Sequence, residues 1–153
     1  MIFQTIALIA IVSAPSADHK FGLTEAMPRI DGTIRVGSYN MLNFFDQTND
    51  PSLEGEYDDF SDNPGPTSDA RCKELANIIR ELDADILALQ EVESQEALAW
   101  FNKNYLTDMG YDYVISEEVG YYRGIEQSLL SRFPVTDVTT WTNVDLTLVE
   151  RHG

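Results

Sequence analysis

The stretch Ala84-Asp85-Ile86-Leu87-Ala88-Leu89-Gln90-Glu91-Val92-Glu93 decides the fold. Its first six residues form a largely apolar run of strand length, too short for an ordinary helix. Gln90 and Glu91 then place an amide and a carboxylate where the strand emerges. In open sheets flanked by helices, ligand sites gather at the carboxyl ends of strands, so a carboxylate there suits metal or phosphate chemistry. A surface acid in a strand-to-helix turn is the alternative that this stretch leaves open.

The flanking sequence supplies the helices. Upstream, Ser68 is a good N-cap and Asp69 falls in the first turn, where a negative charge favours the helix dipole. Cys72, Leu75, Ile79 and Leu82 then recur at spacings of three and four, an apolar stripe that covers a sheet face. This helix is expected to end near Asp83. Downstream, Ser94 caps a second helix with Leu98, Phe101, Tyr105 and Leu106 as core contacts and Gly110 as its C-cap.

Further strands lie on either side. Residues 34–40, Ile34-Arg35-Val36-Gly37-Ser38-Tyr39-Asn40, read as a first strand ending in an amide. Tyr111 to Ile115, Ile125 to Leu130 and Val135 to Trp141 read as later strands, the last two joined across Pro134, with Val144 to Val149 as one more. Strands alternating with helices in this way predict a layered α/β fold.

The chain has 153 residues, a length that suits one domain, and its 43% apolar fraction is enough for a real core. Its 26 acids against 10 bases give a formal net charge of -16. Such a field repels polyanions and argues against nonspecific nucleic-acid binding through a basic surface. It leaves room for a phosphate-containing substrate, because a bound divalent cation reverses the local potential of an acidic cleft. Cys72 is the only cysteine, so neither an internal disulfide nor a cysteine-based zinc site is available, and its helical neighbours point to packing rather than nucleophilic work.

Between Asn43 and Pro66 stand Asp46, Asp50, Glu54, Glu56, Asp58, Asp59 and Asp62 among several prolines and glycines. Clustered carboxylates suit Ca2+, but Pro51 and Tyr57 occupy the places where the helix-loop-helix calcium pattern needs Gly and an acid. A solvated acidic loop is the favoured reading. At the other end, Met1 to Ala17 carries no ionisable side chain and runs from apolar residues into Ser13, Ala14, Ser16 and Ala17. It reads as a cleaved signal peptide, hence a secreted or periplasmic protein, with a buried N-terminal strand as the alternative. At about a dozen apolar residues it is too short to span a bilayer, so no stable membrane association is expected. The expected layout is residues 1–17 as signal peptide, 18–33 as leader and 34–153 as the folded region.

Three blocks stand in order: Arg35-Val36-Gly37-Ser38-Tyr39-Asn40-Met41-Leu42-Asn43-Phe44-Phe45-Asp46, then Asp85-Ile86-Leu87-Ala88-Leu89-Gln90-Glu91-Val92-Glu93, then Arg123-Gly124-Ile125-Glu126-Gln127-Ser128-Leu129-Leu130-Ser131-Arg132-Phe133-Pro134-Val135. Together they resemble the endonuclease/exonuclease/phosphatase superfamily, which includes deoxyribonuclease I, and within it the secreted bacterial nuclease-like members. The resemblance implies a four-layered α/β sandwich of two mixed sheets flanked by helices, with a phosphoesterase site at one rim. It implies that Glu91 is the principal metal ligand and that Asn40 contacts the metal-bound phosphate region. Gln90 precedes the Glu in the family pattern too, where it implies support of the ligand. Mg2+ or Mn2+ would be the metal. Arg123 is a candidate for holding phosphate, against the plainer reading of a surface arginine.

The family's later catalytic residues are a His or Tyr on a middle strand, an Asp-x-Asn pair and a terminal Asp-His pair, and no motif here matches them. His152 falls too early for the middle histidine, and His19 lies in the leader. The resemblance thus covers the N-terminal half of the family domain. The expectation is a metal-dependent phosphoesterase in the full-length parent, a secreted nuclease acting on nucleic acid, with this chain inactive by itself. The alternatives are a non-catalytic truncated remnant, or half of a split domain completed by a C-terminal partner.

Overall fold

The structure is a computed structural model and describes residues 28–48, 65–120, 123–142 and 144. Its elements are β1 (Val36–Phe44), α1 (Asp69–Leu82), β2 (Ile86–Val92), α2 (Gln95–Tyr105), β3 (Tyr113–Ser116) and β4 (Glu126–Ser131). The strands form one mixed sheet in the order β1-β2-β4-β3, with β1 parallel to β2 and β4 antiparallel to both of its neighbours. This is the α/β architecture that the alternation of elements predicts. The signal-peptide reading of residues 1–17, both histidines and most of the acidic loop lie outside the described residues.

Both helices begin where their caps predict. The Ser68 hydroxyl accepts from the Arg71 N–H and the Ser94 hydroxyl from the Ala97 N–H, which satisfies donors that the first turn leaves open. Asp83 caps the end of α1 in a left-handed conformation, its N–H donating to the Ile79 carbonyl. The second ending differs from expectation. Helix α2 ends at Tyr105 with Leu106 as its C-cap, and Gly110 lies beyond it in the turn that follows, at φ +71°. A turn bond from the Met109 N–H to the Leu106 carbonyl breaks the helix before Gly110 is reached.

One face of the sheet holds the core. Leu87 and Leu89 of β2 and Leu130 of β4 pack with Cys72, Leu75, Ala76 and Ile79 of α1 and with Leu98 and Phe101 of α2. Phe44 and Phe101 meet edge to face with centroids 5.1 Å apart, and Phe101 stacks on Tyr105 at 5.5 Å. Burial pushes the Cys72 thiol up, consistent with a packing role rather than a nucleophile. Ser128 is buried on this face and its hydroxyl donates to Ser116 Oγ at 2.8 Å. The opposite face carries Ser38, Ala88, Leu129 and Ile115 in one row across the four strands. These side chains range from half-buried to exposed.

Two strand expectations are corrected. Residues 135–142 take no strand: they follow Pro134, which lacks an N–H for a ladder, and Val138 and Trp141 remain exposed. The first strand does not end at Asn40 but continues to Phe44, and β2 likewise runs on through Glu91 to Val92. In both strands the chain re-enters the ladder after an irregularity, so the polar residues lie inside the strand ends rather than beyond them.

The two rims of the sheet are chemically unlike. At the rim where β1 and β2 begin, the buried Asp85 carboxylate accepts from Arg29 Nη1 at 2.9 Å, Arg29 Nη2 at 3.0 Å, Arg132 Nη1 at 3.0 Å and the Arg35 N–H at 2.8 Å. Asp83 pairs with the same two arginines, and Arg132 lies 5.3 Å above the Tyr111 ring centroid. The Arg29 guanidinium, with the Arg35 N–H and Arg132, holds the Asp85 carboxyl well below the usual carboxylate range. Arg29, in the stretch read as a leader, therefore ties the described part of that stretch, residues 28–33, to the sheet. The other rim holds the candidate site.

Candidate functional site

The site forms where the regular ladder fails. Between the paired positions Asn40–Gln90 and Phe44–Val92, β1 carries Met41, Leu42 and Asn43 against Glu91 alone. On the other side, Gln90 and Val92 pair with the consecutive residues Gln127 and Glu126, so Glu91 has no opposite number in β4. Glu91 is thus the bulged residue of β2 toward β4 and faces the bulge of β1 on its other side. Its φ is +62°, and those of Leu42 and Asn43 are +55° and +54°, all in the left-handed region that costs a side chain of the L series about 1 kcal/mol or more. Bulges of this kind re-aim side chains and are over-represented beside active sites.

Specific contacts hold the strained residues. The Asn43 N–H donates to Glu91 Oε2 at 3.1 Å. Arg71, on the first turn of α1, donates through Nη2 to the Met41 carbonyl at 2.6 Å and also to the Leu42 carbonyl. Asn40 Oδ1 accepts from the Leu42 N–H at 2.7 Å and so closes a local turn at the start of the bulge. Just beyond, the buried Glu93 accepts through Oε2 from the Asp46 N–H at 2.9 Å, and the Glu93 N–H donates to the Phe44 carbonyl at 2.9 Å. Glu91 therefore grips the end of β1 itself, and Glu93 the main chain that leaves it.

From β4's side comes Arg123. Its Nη2 donates to Asn43 Oδ1 at 2.7 Å and lies 3.9 Å from Glu91 Oε2. The two side chains are about one-quarter exposed, 26% and 22%, and open into a groove also lined by Val119, Ile125, Glu126 and Gln127. The structure thus brings Glu91 and Arg123 together. Asn40 sits one position away, paired with Gln90 and exposed. Gln90 does not support Glu91 directly: its Oε1 accepts from Ser38 Oγ at 3.3 Å, on the far side of the sheet from the core.

The donor set suits a hard divalent cation. Glu91 Oε2 carries one hydrogen bond, and Oε1 accepts none among the described residues. Asn40 Oδ1 accepts one bond and retains a second lone pair. A carboxylate and an amide oxygen are the ligand types that Mg2+ and Mn2+ prefer, with water completing the shell. Among the described residues, no three His, Cys, Asp or Glu side chains form a metal-holding cluster. Asp46, the described acid of the long acidic loop, is buried and turns its Oδ1 to the Thr48 N–H at 2.5 Å.

The sequence alone did not mark Asn43, Arg71 or Glu93 as parts of this site. Their contacts cross 48, 30 and 47 residues of chain, and no local pattern announces them. The available signal was that Asn43 and Glu93 fall inside the same blocks as Asn40 and Glu91.

The model of the endonuclease/exonuclease/phosphatase family matches residues 37–152, more than half of the chain. The match takes in β1 with its bulge, β2 with Glu91, and β4 with Arg123. Neither the curated proteins nor the solved structures compared give a match.

Proposed function

Because this chain belongs to the endonuclease/exonuclease/phosphatase family, whose members are metal-dependent phosphoesterases and nucleases, we propose that its sheet rim serves Mg2+- or Mn2+-dependent phosphodiester hydrolysis, with nucleic acid as substrate and a secreted location. The observation that carries this reading is the pairing of Glu91 with Arg123 at 3.9 Å inside an open groove. A metal-ligand carboxylate and a cation for phosphate stand side by side there, which is the minimum that a phosphoryl site must bring together.

Glu91 and Asn40 would hold the metal, which when bound supplies charge neutralisation at the reacting phosphate. The residues of this chain do the rest of what is described. The Asn43 N–H holds one oxygen of the Glu91 carboxylate, Oε2, at 3.1 Å. Arg123 presents planar donors matched to phosphate oxygens. The buried Ile125 shields one side of the groove from water and strengthens these charge interactions relative to open water. The charge of -16 makes the cation a requirement for approach, since a polyanion meets a repulsive field without it.

The test is Mn2+ binding by the purified chain, and hydrolysis of DNA and of a small phosphodiester in Mg2+ or Mn2+, each beside Glu91→Ala. Metal binding, or metal-dependent turnover, that Glu91→Ala removes supports the reading. Metal binding that Glu91→Ala leaves untouched, or hydrolysis that persists in chelator, overturns it.

A further inference from the structure

We propose that Arg71 is a positioning residue for the metal site, acting on Asn40 and Glu91 through two peptide units of the β1 bulge; this rests on the functional reading above. Its guanidinium donates through Nη2 to the Met41 carbonyl at 2.6 Å and to the Leu42 carbonyl. These carbonyls belong to the peptide units Met41–Leu42 and Leu42–Asn43. The N–H of the first unit donates to Asn40 Oδ1 at 2.7 Å, and the N–H of the second to Glu91 Oε2 at 3.1 Å. The two peptides that Arg71 holds are thus the two that hold the proposed metal ligands.

A peptide unit carries the effect because it is rigid. In a trans peptide the C=O and the N–H lie in one plane and point in opposite directions, and no cis bond occurs among the described residues. Fixing the carbonyl at one end therefore aims the N–H at the other. Hydrogen bonds in a chain also polarise one another, so a cation on the carbonyl makes each N–H a better donor to its ligand oxygen. Arg71 thereby acts on both ligands from behind, through the main chain.

The strand leaves these carbonyls to Arg71. Pairing between β1 and β2 lapses between Asn40 and Phe44, so Met41 and Leu42 have no partners in the β2 ladder. Leu42 and Asn43 take the left-handed conformation, at φ +55° and +54°, in which successive carbonyls point the same way as they do in a helical turn, and one nitrogen reaches both. The place of Arg71 in α1 is otherwise unfavourable. It is the third residue of the helix, where the dipole disfavours a cation and favours an acid such as Asp69.

The experiment measures Mn2+ affinity by electron paramagnetic resonance for the wild-type chain, Glu91→Gln, Arg71→Met, Arg71→Gln and Arg80→Met, with thermal unfolding of each to confirm folding. Arg80 is the control, since it lies on the same helix and its bonds run to Asp108 and the Tyr105 carbonyl. Removing either arginine makes a chain of charge -16 more negative, which by field alone favours Mn2+. Positioning predicts the opposite sign, and for Arg71 only. The expected result is an affinity about ten-fold weaker in Arg71→Met and no weaker than wild type in Arg80→Met. Arg71→Gln, uncharged and shorter, is expected to weaken binding as well and carries the test if Arg71→Met does not fold. The inference is overturned if the folded Arg71 variant binds Mn2+ as tightly as wild type or more tightly, or if Arg80→Met loses as much. Mn2+ binding that Glu91→Gln leaves unchanged overturns the functional reading itself, and the inference with it.

Discussion

The main-chain N–H of Asn43 donates to Glu91 Oε2 across 3.1 Å, joining the bulge of β1 to the bulge of β2. Two strained positions thereby stabilise one another. Each would be costly alone, and their contact over 48 residues of chain is made only when β1 and β2 lie parallel in register.

Glu91 supplies the first prediction. Binding of Mn2+ to the folded chain raises its stability by mass action, by about 2.7 kcal/mol at a hundred-fold excess over Kd. Thermal unfolding with and without Mn2+ is expected to show this shift for the wild type and not for Glu91→Gln. An equal shift in both proteins would place the metal elsewhere.

The conformation of Glu91 supplies the second. At φ +62°, Gly is expected to be more stable than Ala at position 91 by about 1 kcal/mol, the reverse of the usual order within a strand. Both variants lose the carboxylate, so the lost contact to Asn43 cancels in the comparison. Urea unfolding of Glu91→Gly beside Glu91→Ala measures the difference.

Glu93 is buried, at 2% exposed, and accepts the Asp46 N–H at 2.9 Å. Replacing it by Ala strands that donor and removes core volume, with an expected cost of about 2 to 3 kcal/mol. Glu93→Gln keeps an acceptor and is expected to cost less than half as much. Hydrogen exchange at the Asp46 amide locates the effect: faster exchange in Glu93→Ala, near-native protection in Glu93→Gln.

Asp85 makes stability depend on pH at the opposite rim. Its carboxyl is held below its ordinary value of 3.8, first by Arg29, then by the Arg35 N–H and Arg132. A depressed folded-state value means that the unfolded chain binds the proton more readily. The contribution is therefore complete above about pH 5, begins to fade as pH falls through the unfolded value, and is lost as pH falls through the folded one. Asp85→Asn is expected to cost about 2 to 3 kcal/mol at neutral pH and to flatten the acid side of the stability profile. Urea midpoints from neutral pH down to about pH 3 read both effects. Equal acid sensitivity in the variant and the wild type would contradict the assignment.

The local parts of this protein were legible in its residues. Ser68 and Ser94 cap the two helices, the stripe of Cys72, Leu75 and Ile79 faces the core, and Glu91 stands at the carboxyl end of a strand buried through Leu87 and Leu89. Caps and apolar periodicity act within a turn or two of chain, so adjacent residues determine them. The three blocks likewise carried the family on their own.

Tertiary structure decided how those parts meet. That β1 continues past Asn40, that Leu42, Asn43 and Glu91 turn left-handed, and that residues 135–142 stay out of the sheet all depend on register between distant strands. The same holds for Arg123 standing beside Asn43 across 80 residues, and for Arg29 closing on Asp85 across 56. Sequence fixes which side chains are available to a site through local propensity. Their separations and strain arise from pairing between segments that no local pattern encodes, because a shift of one residue in register turns each side chain to the other face.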